Sequence, residues 1–256
     1  MNYLEEFYRN YDEEGRLLSQ HGRVEYITTQ KYIHEYLAEP ILEIGAGTGR
    51  YSIALAKEGC DVTAVELIEH NLEILRKKLD GTEKITVLQG NALDLSALPD
   101  NHFGLTLVLG PMYHLYTRAD KLRALSEAVR VTKPNGHILV AYCMNEPTVI
   151  QYVFGMNKLR EVMDLKMITD DWHCVSEPKE IFELVRTEDI AELDAELPAE
   201  RIKLVATDGA TNYMREYIDA MDAKTFEKWV EYHLATCERQ DLIGASHHTL
   251  DILRKR

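Results

Sequence analysis

Glu43-Ile44-Gly45-Ala46-Gly47-Thr48-Gly49 places three glycines at alternate positions behind a carboxylate, just after the short apolar run Ile41–Ile44. Glycine tolerates left-handed backbone angles and lets a chain come close to a ligand. Where such a turn opens a helix, the first helical amides face that ligand. Glu66 ends a second apolar run 21 residues beyond Gly45, where a carboxylate accepts both hydroxyls of a ribose. A dinucleotide fingerprint requires its third glycine at position 50, which is Arg50 here, and no Gly-Lys-Ser/Thr follows. The spacing therefore suits a nucleoside without a pyrophosphate.

Gly110-Pro111-Met112-Tyr113-His114-Leu115 follows a later apolar run. His114 is the leading candidate for a base or an orienting group, and Tyr113 for a pocket wall or ligand contact. His173 and the pair His247-His248 are secondary candidates. Cys60, Cys143, Cys174 and Cys237 form no CxxC pair, so neither a zinc ribbon nor a disulfide framework is expected. No metal site is proposed.

The elements that must position these groups alternate. Residues 1–39 are expected to be helical up to Pro40, which cannot continue a helix. Ile41–Ile44 reads as a buried strand, Tyr51–Glu58 as a helix closed by Gly59, Asp61–Glu66 as a strand and Glu69–Leu79 as a helix. Lys84–Leu88 and Phe103–Leu109 read as further strands. A helix around Leu122–Val129 runs into a tight turn at Lys133-Pro134-Asn135-Gly136, and His137–Tyr142 returns as a strand. Strands alternating with helices imply βαβ units and a doubly wound, mostly parallel α/β sheet. The rhythm breaks over 143–200, read as an insertion with helical pieces over Val149–Met163 and a short strand at Ile181–Val185. Arg201–Thr207 resumes as a strand, Asn212–Cys237 as mostly helix and Ala245–Leu253 as a last strand.

Together, Glu43–Gly49, Glu66, Gly90-Asn91-Ala92-Leu93-Asp94-Leu95 and the Gly110–Leu115 segment resemble a class I S-adenosylmethionine-dependent methyltransferase. The resemblance covers 40–142, and 201–253 by its strand–helix–strand ending. It implies a seven-stranded Rossmann-like sheet with an inserted lid region, and S-adenosylmethionine as cofactor with S-adenosylhomocysteine as product. It also implies cofactor contacts at Glu43, Gly45, Ala46, Gly47 and Gly49 for the methionine part, Glu66 for the ribose, and Leu67, Asn91 and Ala92 for the adenine. By the same resemblance Gly110 is expected to border the sulfonium, while Tyr113 and His114 are candidates from their own position rather than from the resemblance. Asn91 stands where relatives carry an aspartate, and its amide oxygen still accepts. Gly104 replaces an aspartate of many relatives and is expected to soften its strand.

The domain reading is a helical lid at 1–39 and a methyltransferase domain at 40–256, with 143–200 as a substrate cap. The aromatic residues Tyr3, Phe7, Tyr8 and Tyr11 of the first segment are expected over the strand ends. With 29 basic against 43 acidic side chains and net charge −14, no nucleic-acid partner is expected, because such binders carry basic patches that replace phosphate counterions. No apolar run reaches the length of a membrane helix, and Met1–Glu6 lacks a secretion signal, so the expected setting is cytoplasmic, as a monomer or homodimer. Gly110-Pro111-Met112-Tyr113 departs from the Asn/Asp-Pro-Pro-Tyr of base and glutamine N-methylating relatives, and no Pro-Cys nucleophile is present. The expected acceptor is a small molecule, methylated by in-line displacement. The alternatives are a macromolecular acceptor (tRNA, rRNA or protein), a catalytically silent nucleoside-binding scaffold, or an oxidoreductase.

Overall fold

The computed structural model describes residues 3–11, 15 and 18–256. Part of the helical reading of 1–39, at positions 1, 2, 12–14, 16 and 17, lies outside the described residues. Among the described residues, the helices α1 (Tyr3–Asn10) and α2 (Gln20–Glu35) precede a seven-stranded sheet. Its strands are β1 (Ile41–Ile44), β2 (Val62–Glu66), β3 (Ile85–Gln89), β4 (Phe103–Val108), β5 (Thr132–Cys143), β6 (Ala199–Ala206) and β7 (His248–Lys255). Between them lie α3 (Arg50–Lys57), α4 (Glu69–Lys78), α5 (Arg118–Val131), α6 (Asn145–Thr148), α7 (Leu159–Asp164), α8 (Thr187–Asp194), α9 (Arg215–Asp219), α10 (Ala223–Thr236) and α11 (Gln240–Ile243).

The spatial order is β3-β2-β1-β4-β5-β7-β6. The first five strands are parallel, and β7 runs antiparallel to both β5 and β6. Strand β1 is the middle one of the five parallel strands, and all four of its residues are buried. Such both-sided burial explains why Ile41–Ile44 reads as an unbroken apolar run, apart from Glu43. One face of the sheet packs against α5 and α8 through Ala124, Leu125, Ala128, Ile190 and Leu193. The other packs against α2 and α3 through Tyr32, Ile33, Tyr51 and Leu55. The order reverses between β1 and β4, which puts the topological switch at the carboxyl ends of these two strands.

Several local expectations change. The helical pieces expected over Val149–Met163 are a wide helical turn at Val149–Gly155 and α7, with Asn157 at a left-handed φ of 55° between them. No strand forms at Ile181–Val185, because Ile181 has φ 72° and only Val185 bridges, to Met144 at the end of β5. The turn at 133–136 is absorbed into β5 as a bulge. Phe103 pairs with Thr132 and Leu105 with His137, while Asn135 takes the left-handed conformation the turn requires. Gly104 is demanded by packing, since a Cβ there would lie 2.6 Å from the carbonyl oxygen of Ala38.

Candidate active site

A cavity of about 920 Å³ opens at the carboxyl ends of β1, β2, β4 and β5. One end is made by the glycine turn, the ends of β2 and β3, and the loop after β4. Gly45, Gly47 and Gly49 have φ of 76°, 54° and 87°, all left-handed. They do different work. A Cβ on Gly45 would lie 2.6 Å from Cδ of Pro111, so this glycine lets the turns after β1 and β4 touch. A Cβ on Gly49 would lie 2.8 Å from Cγ of Leu75, so that glycine seats α3 against α4. A Cβ on Gly47 would meet nothing within 4 Å, and Gly47 lines the cavity. This is a cradle with room for a ligand against the backbone.

Glu66 is buried at the end of β2 and lines the same end. One carboxylate oxygen accepts from Gly47 N at 2.7 Å and the other from Ile68 N at 2.8 Å. Burial raises its pKa above the ordinary value, opposed by the amides of Ile68 and Gly47. Both oxygens are acceptors, the chemistry that the two hydroxyls of a vicinal diol would donate to. Leu67, Asn91, Ala92 and Gly110 line the cavity beside it. Asn91 Oδ1 accepts from Leu93 N at 3.0 Å and shapes the turn after β3.

Glu43, Ala46 and Gly49 are not among the cavity walls. Glu43 lies buried within β1, where Ser52 Oγ of α3 donates to it. Burial pushes its pKa up to about 8, and the bonds from Ser52 only partly oppose this. It is a neutral acid at pH 7 that ties α3 to the central strand.

The other end of the cavity is aromatic and polar. Tyr113 and His114 sit on the short turn Pro111–His114, with Tyr8 of α1 and Phe182 of the 143–200 region beside them. His114 Nδ1 lies 2.8 Å from the carbonyl oxygen of Ile181, and Nε2 lies 2.9 Å from the Tyr8 hydroxyl. A carbonyl only accepts, so Nδ1 carries the proton and Nε2 accepts from Tyr8. Burial lowers the His114 pKa, with the Ile181 carbonyl opposing, so the ring is neutral. His173 lies off the cavity, 3.5 Å from Asp189.

His247, His248 and Glu25 also line this end. Gln151 donates through Nε2 to Asn212 O, which turns its oxygen to His247 Nε2 at 2.5 Å. His247 therefore donates from Nε2. Burial drops its pKa to about 4. Glu25, Asp208 and the pairing of Tyr8 with His114 had no signal in local sequence. Only the helical face of α2 and the closeness of β6 to β7 bring them together.

The comparisons with known proteins agree with this geometry. Residues 42–140 match the family model described as "Methyltransferase domain". The chain is 30% identical over 138 residues to a demethylmenaquinone methyltransferase of Clavibacter sepedonicus, covering 54% of this chain and 55% of that protein. It is 23% identical over 155 residues to a ubiquinone biosynthesis O-methyltransferase of Vibrio campbellii, covering 60% of this chain and 64% of the relative. The chain thus spans somewhat over half the length of these curated relatives. A solved structure from Thermotoga maritima, described as a methyltransferase dependent on S-adenosylmethionine and a possible histamine N-methyltransferase, superposes with a TM-score of 0.60. That match has 20% identity and covers 99% of this chain and 100% of the other. The sheet and the domain match thus give a methyltransferase-type α/β fold, with the glycine turn and the strand-end carboxylate at one end of its cavity. Residues 42–140 match a methyltransferase domain, and the fold is that of solved S-adenosylmethionine-dependent methyltransferases. Its cofactor is S-adenosylmethionine, which the Gly47 cradle and the Glu66 carboxylate fit.

Proposed function

We propose that the chain transfers a methyl group to a small-molecule acceptor. The observation that carries this reading is one continuous cavity with a nucleoside end at Gly47 and Glu66 and an aromatic end at Tyr8, Tyr113, His114 and Phe182. Its 920 Å³ lies near the top of the range for ligand pockets, enough for cofactor and acceptor together. The cofactor supplies a methyl group activated by its positive sulfur. The protein aligns the partners and excludes water, which accounts for much of the rate in such a displacement. In this reading Glu66 and the glycine turn fix the nucleoside, and Gly110 borders the sulfonium. Tyr113 and His114 wall the acceptor.

The same reading makes 1–39 and 143–200 the lid and cap. His114 supports it, because its two ring nitrogens link α1, through Tyr8, to the cap, through Ile181. The relatives' names, with demethylmenaquinone and ubiquinone, favour a small acceptor over a nucleic acid, as does a net charge of −14. No helix among the described residues is long and apolar enough to cross a membrane. Four unpaired thiols fit a cytoplasmic setting. The test is transfer of labelled methyl from S-adenosylmethionine to pools of phenols, amines and thiols, with tRNA and protein as controls. Label in a small-molecule pool is expected. Label confined to tRNA or protein overturns the reading.

A further inference from the structure

Three charged groups from elements distant in sequence meet at the acceptor end: Glu25 of α2, Asp208 after β6, and His248 opening β7. His248 Nδ1 lies 2.8 Å from Asp208 Oδ2 and 3.5 Å from Glu25 Oε2. Asp208 is fixed from its other side. Its Oδ1 accepts from Ser246 Oγ at 2.6 Å, His247 N at 2.9 Å and His248 N at 3.2 Å, and its Oδ2 from Asn212 Nδ2 at 2.7 Å. A ring nitrogen facing two carboxylates keeps its proton. Burial disfavours charge on His248, but Glu25, Cys143 and Asp208 outweigh it and hold the imidazole well above its ordinary pKa, so the ring is a cation at pH 7. Both nitrogens of an imidazolium donate. Nδ1 donates to the carboxylates. Nε2 has no hydrogen-bond partner among the described residues and is not sealed from solvent, while the ring lines the cavity.

Arg215, which opens α9, stands close by. It is the only lysine or arginine among the described residues that lines the cavity. Its Nε reaches Asn212 O at 3.5 Å, and its terminal nitrogens have no hydrogen-bond or carboxylate partner among the described residues. Burial chiefly, and then the charges of His248 and Arg215, drop the His247 pKa to about 4 against the pull of Asp208 and Glu25. The guanidinium and the imidazolium therefore act on one place. The open hydrogen-bonding positions there are donors. Asp208 is occupied on both oxygens, and Glu25 faces the protonated edge of His248. Glu180 also lines the cavity, but it accepts from Glu177 N at 2.8 Å and has Lys179 at 3.5 Å. Glu25, Asp208 and His248 lie close enough to share a cation, and the Nδ1 proton already meets that demand for positive charge.

We infer that the methyl acceptor carries a carboxylate, which accepts from His248 Nε2 and from the Arg215 guanidinium. This rests on the methyltransferase reading above and names the substrate class of that site. A guanidinium matches a carboxylate with two parallel N–H bonds, and a hydrogen bond with charge on both sides is stronger than a neutral one. Asp208 is the positioning residue, since it holds the imidazole with one N–H turned to the cavity. The positive sulfur of the cofactor adds to the attraction for an anion. The His248 ring centroid lies 6.1 Å from that of Tyr113, whose amide donates to Gly110 O. The carboxylate is thus anchored one ring away from the turn at Gly110, and the methyl-accepting atom lies on the Tyr113 side of the molecule. Arg215 and His248 select the acceptor by its charge and take no part in bond making.

Benzoate, its neutral isostere benzamide and the cation benzylamine are the probes, titrated by calorimetry into the full chain with and without S-adenosylhomocysteine. Benzoate is expected to bind at least about tenfold more tightly than benzamide, as charge-assisted hydrogen bonds require, and benzylamine more weakly than either. Arg215→Gln and His248→Gln should each remove most of that preference, and Arg215→Lys should keep part of it, with thermal unfolding to check that each variant folds. Arg215 is exposed, so its variants carry the test if His248→Gln fails to fold. In 15N spectra of the labelled chain, His248 Nε2 should shift on adding benzoate and not on adding benzamide. Equal affinity for benzoate and benzamide, a preference unmoved in Arg215→Gln, or no binding of benzoate overturns the inference. Labelled methyl transfer confined to acceptors without an anionic group overturns it as well. A benzoate preference that stands while S-adenosylhomocysteine fails to bind would instead refute the methyltransferase reading and leave the anion site.

Discussion

Glu43→Gln is expected to stabilise the protein increasingly as pH rises. Glu43 sits on the central strand between Ala64 of β2 and Leu107 of β4 and is 1% exposed. Burial lifts its pKa from 4.5 to about 8, Ser52 opposes this, and the charge of Glu66 adds to it. The folded state holds the proton more tightly than the unfolded chain. The stability this confers is complete below pH 4.5 and is lost as pH rises through 8. Integrating about 1.4 kcal/mol per unit gives a cost of about 1 kcal/mol at pH 5, about 3 at pH 7 and between about 4 and 5 at pH 9. Glutamine carries no charge and keeps an oxygen for the Ser52 hydroxyl, so the variant escapes that cost. Urea unfolding of both proteins at pH 5, 7 and 9 measures the difference. A gap that widens by several kcal/mol between pH 5 and 9 is expected. A constant gap would mean that Glu43 ionises normally, and the account of the buried acid would be wrong.

The glycine turn offers a contrast. Gly45→Ala should destabilise the fold by about 2–5 kcal/mol, from a Cβ driven into Pro111 and a left-handed backbone. Gly47→Ala has the space, so its stability loss should stay near the backbone cost of about 1–2 kcal/mol, while its methyl enters the cradle and weakens cofactor binding. Thermal unfolding and calorimetry separate the two, and equal stability losses would contradict the assignment. Tyr8→Phe and His114→Ala break one link, so a double-mutant cycle in unfolding free energy should show coupling of at least about 0.5 kcal/mol. Additive effects would mean that α1 is not held through His114.

The first βαβ unit was legible in the sequence because its signals are local. The glycines, the following helix, Gly59 and Glu66 lie within one crossover, and each has a backbone or charge reason to be where it is. The number of strands came from family resemblance rather than periodicity, and their order only from the structure. Gly104 read as a weak point in a strand, but its reason is the Ala38 backbone, invisible from residue types near 104. The strand expected at Ile181–Val185 failed because the apolar alternation there serves the cavity wall and Ile181 turns the chain. Glu43 carries the motif's acidic position, yet it lies inside the sheet rather than on the cavity. Asp208 and His248 are joined only by the pairing of β6 with β7, and Tyr8 meets His114 across 106 residues. Contacts of that range leave no period or spacing to read.

Gly47 and Glu66 are expected to form the nucleoside site for S-adenosylmethionine. Titration calorimetry with S-adenosylmethionine, S-adenosylhomocysteine and NAD, on the wild-type chain and on Glu66→Ala, tests it directly. Micromolar binding of the first two ligands and none of NAD is expected. Glu66→Ala is expected to lose about 1.5–3 kcal/mol, roughly 10- to 150-fold in affinity, as for removing a charged hydrogen-bond partner. Binding of NAD in their place, no binding of either sulfur ligand, or full affinity in Glu66→Ala would contradict it.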